Sequence, residues 1–335
     1  DYVAPAHSYF FDHATNMIPF LNSDHGNRSY MAGKHMEQAV SLKFREDPLV
    51  KSTIVPDFVS AKYTVERMLG KDFAVISEAD GVVTEINRPE QYIAVTDKKG
   101  VVHKHPIYVD FPLTNGSMIT HEPLVKVGDT VKKEQTLADS NFTKDGRLAL
   151  GVNLNTVYMP YEGYNFEDGL VISEDAAKKL TSMHLYEEDL EYSDDDIISK
   201  NTFIAHSPSK YKTDQLTNIT DDGIIAEGSQ VKTGDPLVLM LSKRKMTGES
   251  EMLKRIDKAL VQPFVAKPLE WDHVADGIVT RVVQTPNMIK IHVKTEEPAN
   301  IGDKLAGRHG NKGVITKIIP TEKMPKTVNG TPIDI

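Results

Sequence analysis

Two distant stretches of this chain repeat one local pattern: Glu78-Ala-Asp-Gly-Val-Val-Thr-Glu-Ile and Val274-Ala-Asp-Gly-Ile-Val-Thr-Arg-Val. Asp-Gly is a turn dipeptide, because glycine enters left-handed backbone without a Cβ penalty. The β-branched residues that follow alternate as a strand requires. A looser echo relates Val127-Gly-Asp-Thr-Val-Lys-Lys-Glu-Gln-Thr-Leu to Gln230-Val-Lys-Thr-Gly-Asp-Pro-Leu. Repeated turn–strand units suit small interlocked barrels or sandwiches, although Gly-Asp turns occur in any β-rich protein.

The rest of the chain fits that texture. Short β-branched pieces over 73–76, 81–86, 92–96, 101–103 and 124–127 read as strands, as do 223–226, 236–241, 277–284 and 288–294. Helical spacing shows over 8–22, interrupted by Pro19, and over about 25–39, with Ser23 and Asp24 as N-caps. Ser173-Glu-Asp caps a helix over about 174–180, and 249–261 carries a helical run. The expected class is mixed, β-rich α+β.

A chain of 335 residues holds two or three domains, and 39% hydrophobic with 26% charged residues fits a globular protein. No apolar run is long enough to span a bilayer, and no basic n-region or apolar h-region opens the chain. The absence of cysteine removes disulfides, thiolate zinc sites and cysteine nucleophiles, and agrees with a cytoplasmic location. The net charge of −9 is unevenly spread. Acids crowd 187–196, whereas 289–326 holds eight basic residues against four acids. One basic surface on an acidic chain is a plausible nucleic-acid face.

That basic region contains Asn300-Ile-Gly-Asp-Lys-Leu-Ala-Gly-Arg-His-Gly-Asn-Lys-Gly313. Four glycines among Lys304, Arg308, His309 and Lys312 allow close backbone approach to a polyanion, with charge-assisted donors beside it. No aspartate cluster of the kind that holds two catalytic metal ions is present, and Asp194-Asp195-Asp196 reads as a solvated turn. His7, His13, His25, His35, His121, His184, His206 and His273 show no paired ligand spacing; His25 and His35 are taken as structural.

The string GDKLAGRHGNKG, followed by VITKI and NGTPIDI, resembles the β-type large subunit of multisubunit DNA-dependent RNA polymerases. So do VYMPYEGYNFEDGLVIS at 157–173 and IPFLNSDHGNRSYMAGKHMEQAV at 18–40, in the family's order. GDKLAGRHGNKG and the strings at 157–173 and 18–40 together cover 52 of 335 residues, and 185–272 shows little likeness. The family's subunits are several times longer, so the chain is expected to be a fragment. His25-Gly26 and Ser29-Tyr30 depart from the common bacterial pattern, as a divergent or viral member would.

The resemblance implies a double-psi β-barrel with an inserted flap-like region and an N-terminal helical segment. The implied divisions are 1–45 (helical), 46–184 (first barrel part), 185–273 (insertion) and 274–335 (second barrel part). It also implies roles. Lys304 and Lys312 match lysines that reach the RNA 3′ end and nearby phosphates. Asn27 and Arg28 match a pair facing the incoming nucleotide, and Gln38 matches a residue near the RNA backbone. Glu167 and Asp168 match an acidic pair beside the second metal. Adjacent acids in a strand point opposite ways unless a loop or bulge intervenes, and Asp168 is the favoured one. Arg308 and His309 are as suited to holding the loop as to touching ligand. The catalytic Mg²⁺ would be held mainly by a β′-type partner. Further partners would be the remaining β-type segments, template DNA, nascent RNA and nucleoside triphosphates. The expected activity is that of a DNA-directed RNA polymerase subunit, inactive alone.

Two other readings remain open. A barrel could serve as a non-catalytic scaffold for nucleic acid or protein. A biotinyl- or lipoyl-like carrier would need a lysine at a hairpin tip, and Lys245 before Met246 has basic, helix-like flanks unsuited to that.

Overall fold

The computed structural model of the chain describes residues 11–52, 64–244 and 263–335. Lys245 and the helical run expected over 249–261 lie outside the described residues. The fold is β-rich α+β, with short helices among many short strands. Among the described residues no helix is long and apolar enough to cross a membrane. The chain divides into two compact units: residues 1–183 with 297–335, and residues 184–296.

In the first unit, helix α1 (His13–Asn16) starts where the Asp12 carboxylate accepts the Thr15 N–H at 2.6 Å. The helical pattern expected over 8–22 stops early. Pro19 is followed by Phe20 at φ 54°, and then by a single 3₁₀ turn, Leu21–Ser23. Helix α2 (Gly26–Glu37) is capped by His25 without a side-chain bond, so Ser23 and Asp24 are not its caps. Gly33 lets α2 press on α1, since a Cβ there would meet Thr15 Oγ1 at 2.9 Å. Helix α3 (Val65–Phe73) was not foreseen, and its N-cap Thr64 accepts the Arg67 N–H at 3.2 Å. Helix α4 (Glu174–Lys179) begins as expected, with Ser173 Oγ accepting from Ala176.

Two sheets matter for the site. One is antiparallel, in the order Val102–Pro106, Tyr92–Asp97, Gly81–Asn87, Thr130–Val131. Its inner residues Val83, Ile93 and Val95 are buried, with Leu137 of a neighbouring strand in the same core. The other sets Gly169–Ser173 parallel to Lys312–Ile319, which in turn pairs antiparallel with Lys304–Ala306. Ile172, Ala176 and Ile315 fill its core side against α4. The segment expected as a strand over 124–127 is instead a turn, with Gly128 at φ 97°.

The second unit has its own core around Trp271, which is fully buried and donates Nε1–H to Ala275 O at 2.8 Å. Truncating such a side chain to alanine costs about 3–5 kcal/mol. Its main sheet runs Ser182–Glu191, Met288–Glu297, Gly277–Thr285, Gln230–Val231. Residues 274–296, expected with the second barrel part, pair within this unit instead.

The sequence echo is an architectural one. Gly81 sits opposite Asp97 and Val131, and Gly277 sits opposite Thr295 and Val231. Each long strand carries a bulge at the same step, between Val83 and Glu85 and between Val279 and Arg281. The looser echo aligns Thr130-Val131 with Gln230-Val231, not Gly-Asp with Gly-Asp. The preceding glycines, Gly128 and Gly228, both take positive φ and donate to Val83 O and Val279 O.

Candidate nucleic-acid and nucleotide interface

The glycine-rich run folds as a hairpin. Lys304 pairs with Val314, Leu305 with Gly313, and Ala306 with Lys312. Residues directly opposite, and residues two apart on one strand, share a face. Lys304, Ala306 and Lys312 therefore lie on one face, and all three are exposed. The two lysines are diagonal neighbours, about 7 Å apart at Cβ. The opposite face carries half-buried Leu305 and buried Gly313.

Glycine is needed at two positions here. Gly310 turns the hairpin at φ 71°, and a Cβ on it would overlap the Arg28 carbonyl. A Cβ on Gly313 would meet Asp168 O at 2.6 Å and Leu170 Cγ at 2.7 Å. These close approaches bring the other sequence-predicted residues to the loop. Arg28, in the first turn of α2, donates Nη1–H to Gly310 O at 2.9 Å. Asp24, just ahead of α2, meets His309 Nδ1 at 3.0 Å. The Val314 N–H donates to Asp168 O at 2.8 Å, which fixes the acidic turn beside the lysine strand.

Glu167 and Asp168 are not in a strand. Glu167 takes φ 55°, Gly169 N–H closes the turn on Phe166 O at 3.0 Å, and both acids are exposed. The alternation that would point them apart does not apply. Residues that sequence reasoning did not single out hold this turn. Asn165 Oδ1 accepts from Tyr161 N, Thr316 Oγ1 donates to Tyr164 O, and Lys317 Nζ sits 3.8 Å over the Tyr164 ring. Only the Tyr-Asn-Phe-Glu-Asp-Gly string hinted at them.

Asn27 is exposed beside Arg28. Gln38 is the C-cap of the same helix, exposed at its far end. Eleven residues of helical rise put Gln38 about 16 Å from Asn27 along the axis. The structure therefore gathers Lys304, Lys312, Arg28, Asn27 and the 167–168 turn around one loop and leaves Gln38 outside that group.

Arg308 turns inward. It donates Nη1–H to Val50 O at 2.7 Å, and burial draws its pKa below the ordinary arginine value against the opposing charge of Glu66. Glu66 is 2% exposed, and burial pushes its carboxyl above the usual range despite hydrogen bonds to backbone N–H groups. Neither Val50 nor Glu66 is signalled by the sequence, because both partners are remote in the chain.

For divalent metal, the described residues bring three ligand-type side chains together at one place, Glu188, Asp272 and His273 in the second unit. There His273 Nε2 already bonds Glu188 Oε1 at 2.9 Å. Asp194–Asp196 form a surface turn, in which Asp196 caps Ser193 and Asp195 pairs with Lys243 at 2.7 Å. No carboxylate cluster accompanies Lys304 and Lys312 among the described residues beyond the exposed 167–168 pair. What the loop offers chemically is fixed positive charge on one exposed face, a donor set suited to an anion such as phosphate.

Residues 77–335 match the family described as RNA polymerase Rpb2, domain 6. The β subunit of DNA-directed RNA polymerase from Rubrobacter xylanophilus is 33% identical over 339 residues, covering 96% of this chain and 29% of that subunit. The subunit from Caldicellulosiruptor bescii is 32% identical over 341 residues, covering 96% of this chain and 26% of its own length. That from Syntrophomonas wolfei is 30% identical over 352 residues, covering 100% and 31%. The chain thus spans about three tenths of the curated relatives it matches. It belongs to the RNA polymerase Rpb2 domain 6 family and corresponds to part of a β-type subunit.

Proposed function

We propose that this chain forms part of the active-centre wall of a DNA-directed RNA polymerase, binding the RNA 3′ end and the phosphates of the incoming nucleoside triphosphate. The observation that carries the reading is the placement of Lys304 and Lys312 on one exposed face of the hairpin, with Arg28 and the acidic turn docked against it. The two ammonium groups converge on one phosphodiester and act as compact fixed charges, strongest where negative charge grows in the transition state. Arg28 reaches the triphosphate with the guanidinium N–H groups that Gly310 O does not take. Asp168 orients water near the second metal.

The sheet of Gly169–Ser173, Lys312–Ile319 and Lys304–Ala306 is read as part of a double-psi β-barrel. Its mixed pairing, parallel on one side and antiparallel on the other, supports that. The family resemblance implies that a β′-type partner holds Mg²⁺, and the donor set at this loop, cations without a tight carboxylate site among the described residues, supports that reading. When bound there, Mg²⁺ stabilises the attacking and leaving oxygens of nucleotidyl transfer.

The test uses the assembled polymerase. Lys304→Ala and Lys312→Ala should leave assembly intact and slow single-nucleotide addition, each by about 10²-fold. The double variant should be less than multiplicative if both act on one group. Wild-type addition rates in both variants would sink the reading and favour a binding scaffold.

A further inference from the structure

We propose that the cavity behind the glycine-rich loop, between α2 and Glu66, is a binding site for a compact neutral molecule with an apolar body and an amide N–H group, such as an aromatic carboxamide. The cavity has a volume of about 260 Å³ and lies wholly within the first unit. That is below the range of about 300–1,000 Å³ usual for drug-sized ligands, so the occupant is fragment-sized.

The walls dictate the chemistry. Met17, Met36, Leu148 and Leu150 supply an apolar side that rewards burying a ring. The polar side holds Glu66 and Arg308, with His35, Glu46 and Asn153 beside them. One Glu66 oxygen accepts the Ser52 N–H at 3.2 Å, while Oε2, buried, has no hydrogen-bond partner among the described residues. A buried carboxyl oxygen without a partner is costly, and an N–H from an occupant satisfies it. Glu46 is already committed to Lys179 and Asn153, and the guanidinium of Arg308 offsets the Glu66 charge, so a neutral amide suits this wall better than an amine or amidine.

Ala306, Gly307 and Arg308 also line the cavity. They are the residues between Lys304 and Lys312, so an occupant buttresses the hairpin from behind. Only this consequence for the lysines rests on the polymerase reading; binding itself does not.

The probe is benzamide, titrated into the 335-residue chain by saturation-transfer NMR, with amide shifts followed at Gly307. A dissociation constant on the order of 1 mM is expected for so small a ligand. Glu66→Gln keeps an acceptor for Ser52 but turns a donor toward the cavity, and should weaken binding at least tenfold. Ala39→Phe fills the cavity from the end of α2 without touching Glu66, and should weaken it to the same extent or more. No saturable binding to the native chain, or less than a tenfold loss in either variant, overturns the proposal. Because this readout needs no RNA synthesis, its failure leaves the polymerase reading standing, and the lysine variants test that reading separately.

Discussion

Arg28 donates to the carbonyl of Gly310 at 2.9 Å, joining α2 to the glycine-rich hairpin across 282 positions of chain. Gly310 permits this by sitting at φ 71° with no Cβ between it and the Arg28 backbone. Gly310→Ala combines a left-handed strain with a direct overlap. It should lower the stability of the first unit by about 1–3 kcal/mol, read as a shift in urea midpoint. An unchanged midpoint would show that the loop and α2 part without penalty.

Arg28 itself has one N–H committed to the loop, so its loss is expected to act on ligand and on loop together. In the assembled enzyme, Arg28→Ala should reduce kcat/KM for triphosphates by about ten- to a hundredfold, the equivalent of roughly 1.5–3 kcal/mol. A rise in KM marks phosphate contact. A fall in kcat at constant KM would instead assign Arg28 to holding the hairpin alone.

Glu66 gives the chain a pH signature. Burial raises its carboxyl above the ordinary value of 4.5 in the folded state. The folded protein then binds more protons than the unfolded one, so this contribution is complete below 4.5 and declines as pH rises through the folded value. Between about pH 4 and about pH 7 the native urea midpoint should fall relative to that of Glu66→Gln. Parallel pH profiles for the two proteins would remove Glu66 from the account.

Purified alone, the chain should not extend a primed template with Mg²⁺ and triphosphates, because among the described residues no carboxylate metal site accompanies the fixed cations of the glycine-rich loop. Activity appearing only on adding a β′-type subunit is the expected result. Template-dependent synthesis by the isolated chain would contradict it.

Much of the site was legible because its signals are local. The Gly-rich run, the Asp-Gly echo and Ser173 before α4 each announce a turn, a strand or a cap within a few residues. The ties that assemble the site were not legible. Asp24 reads as a helix cap but spends its carboxylate on His309, and nothing within ten residues of Arg308 foretells Val50 or Glu66. Helix α3 had a local signal, with Glu66, Arg67, Met68, Leu69 and Lys71 favouring helix behind the Thr64 cap, but the strands on its C-terminal side masked it. The strands over 277–297 were legible as strands, but which unit they join was not, since a single strand does not state its partner.

The strands that lead into and out of residues 184–296, Ser182–Glu191 and Met288–Glu297, are neighbours in one sheet. Adjacent strands lie about 4.8 Å apart, so the ends of that long excursion are already held side by side. The entropy of closing the loop is then met by the strand pair, whatever lies between. Adjacent termini of this kind are the geometry that insertion of one module into another requires.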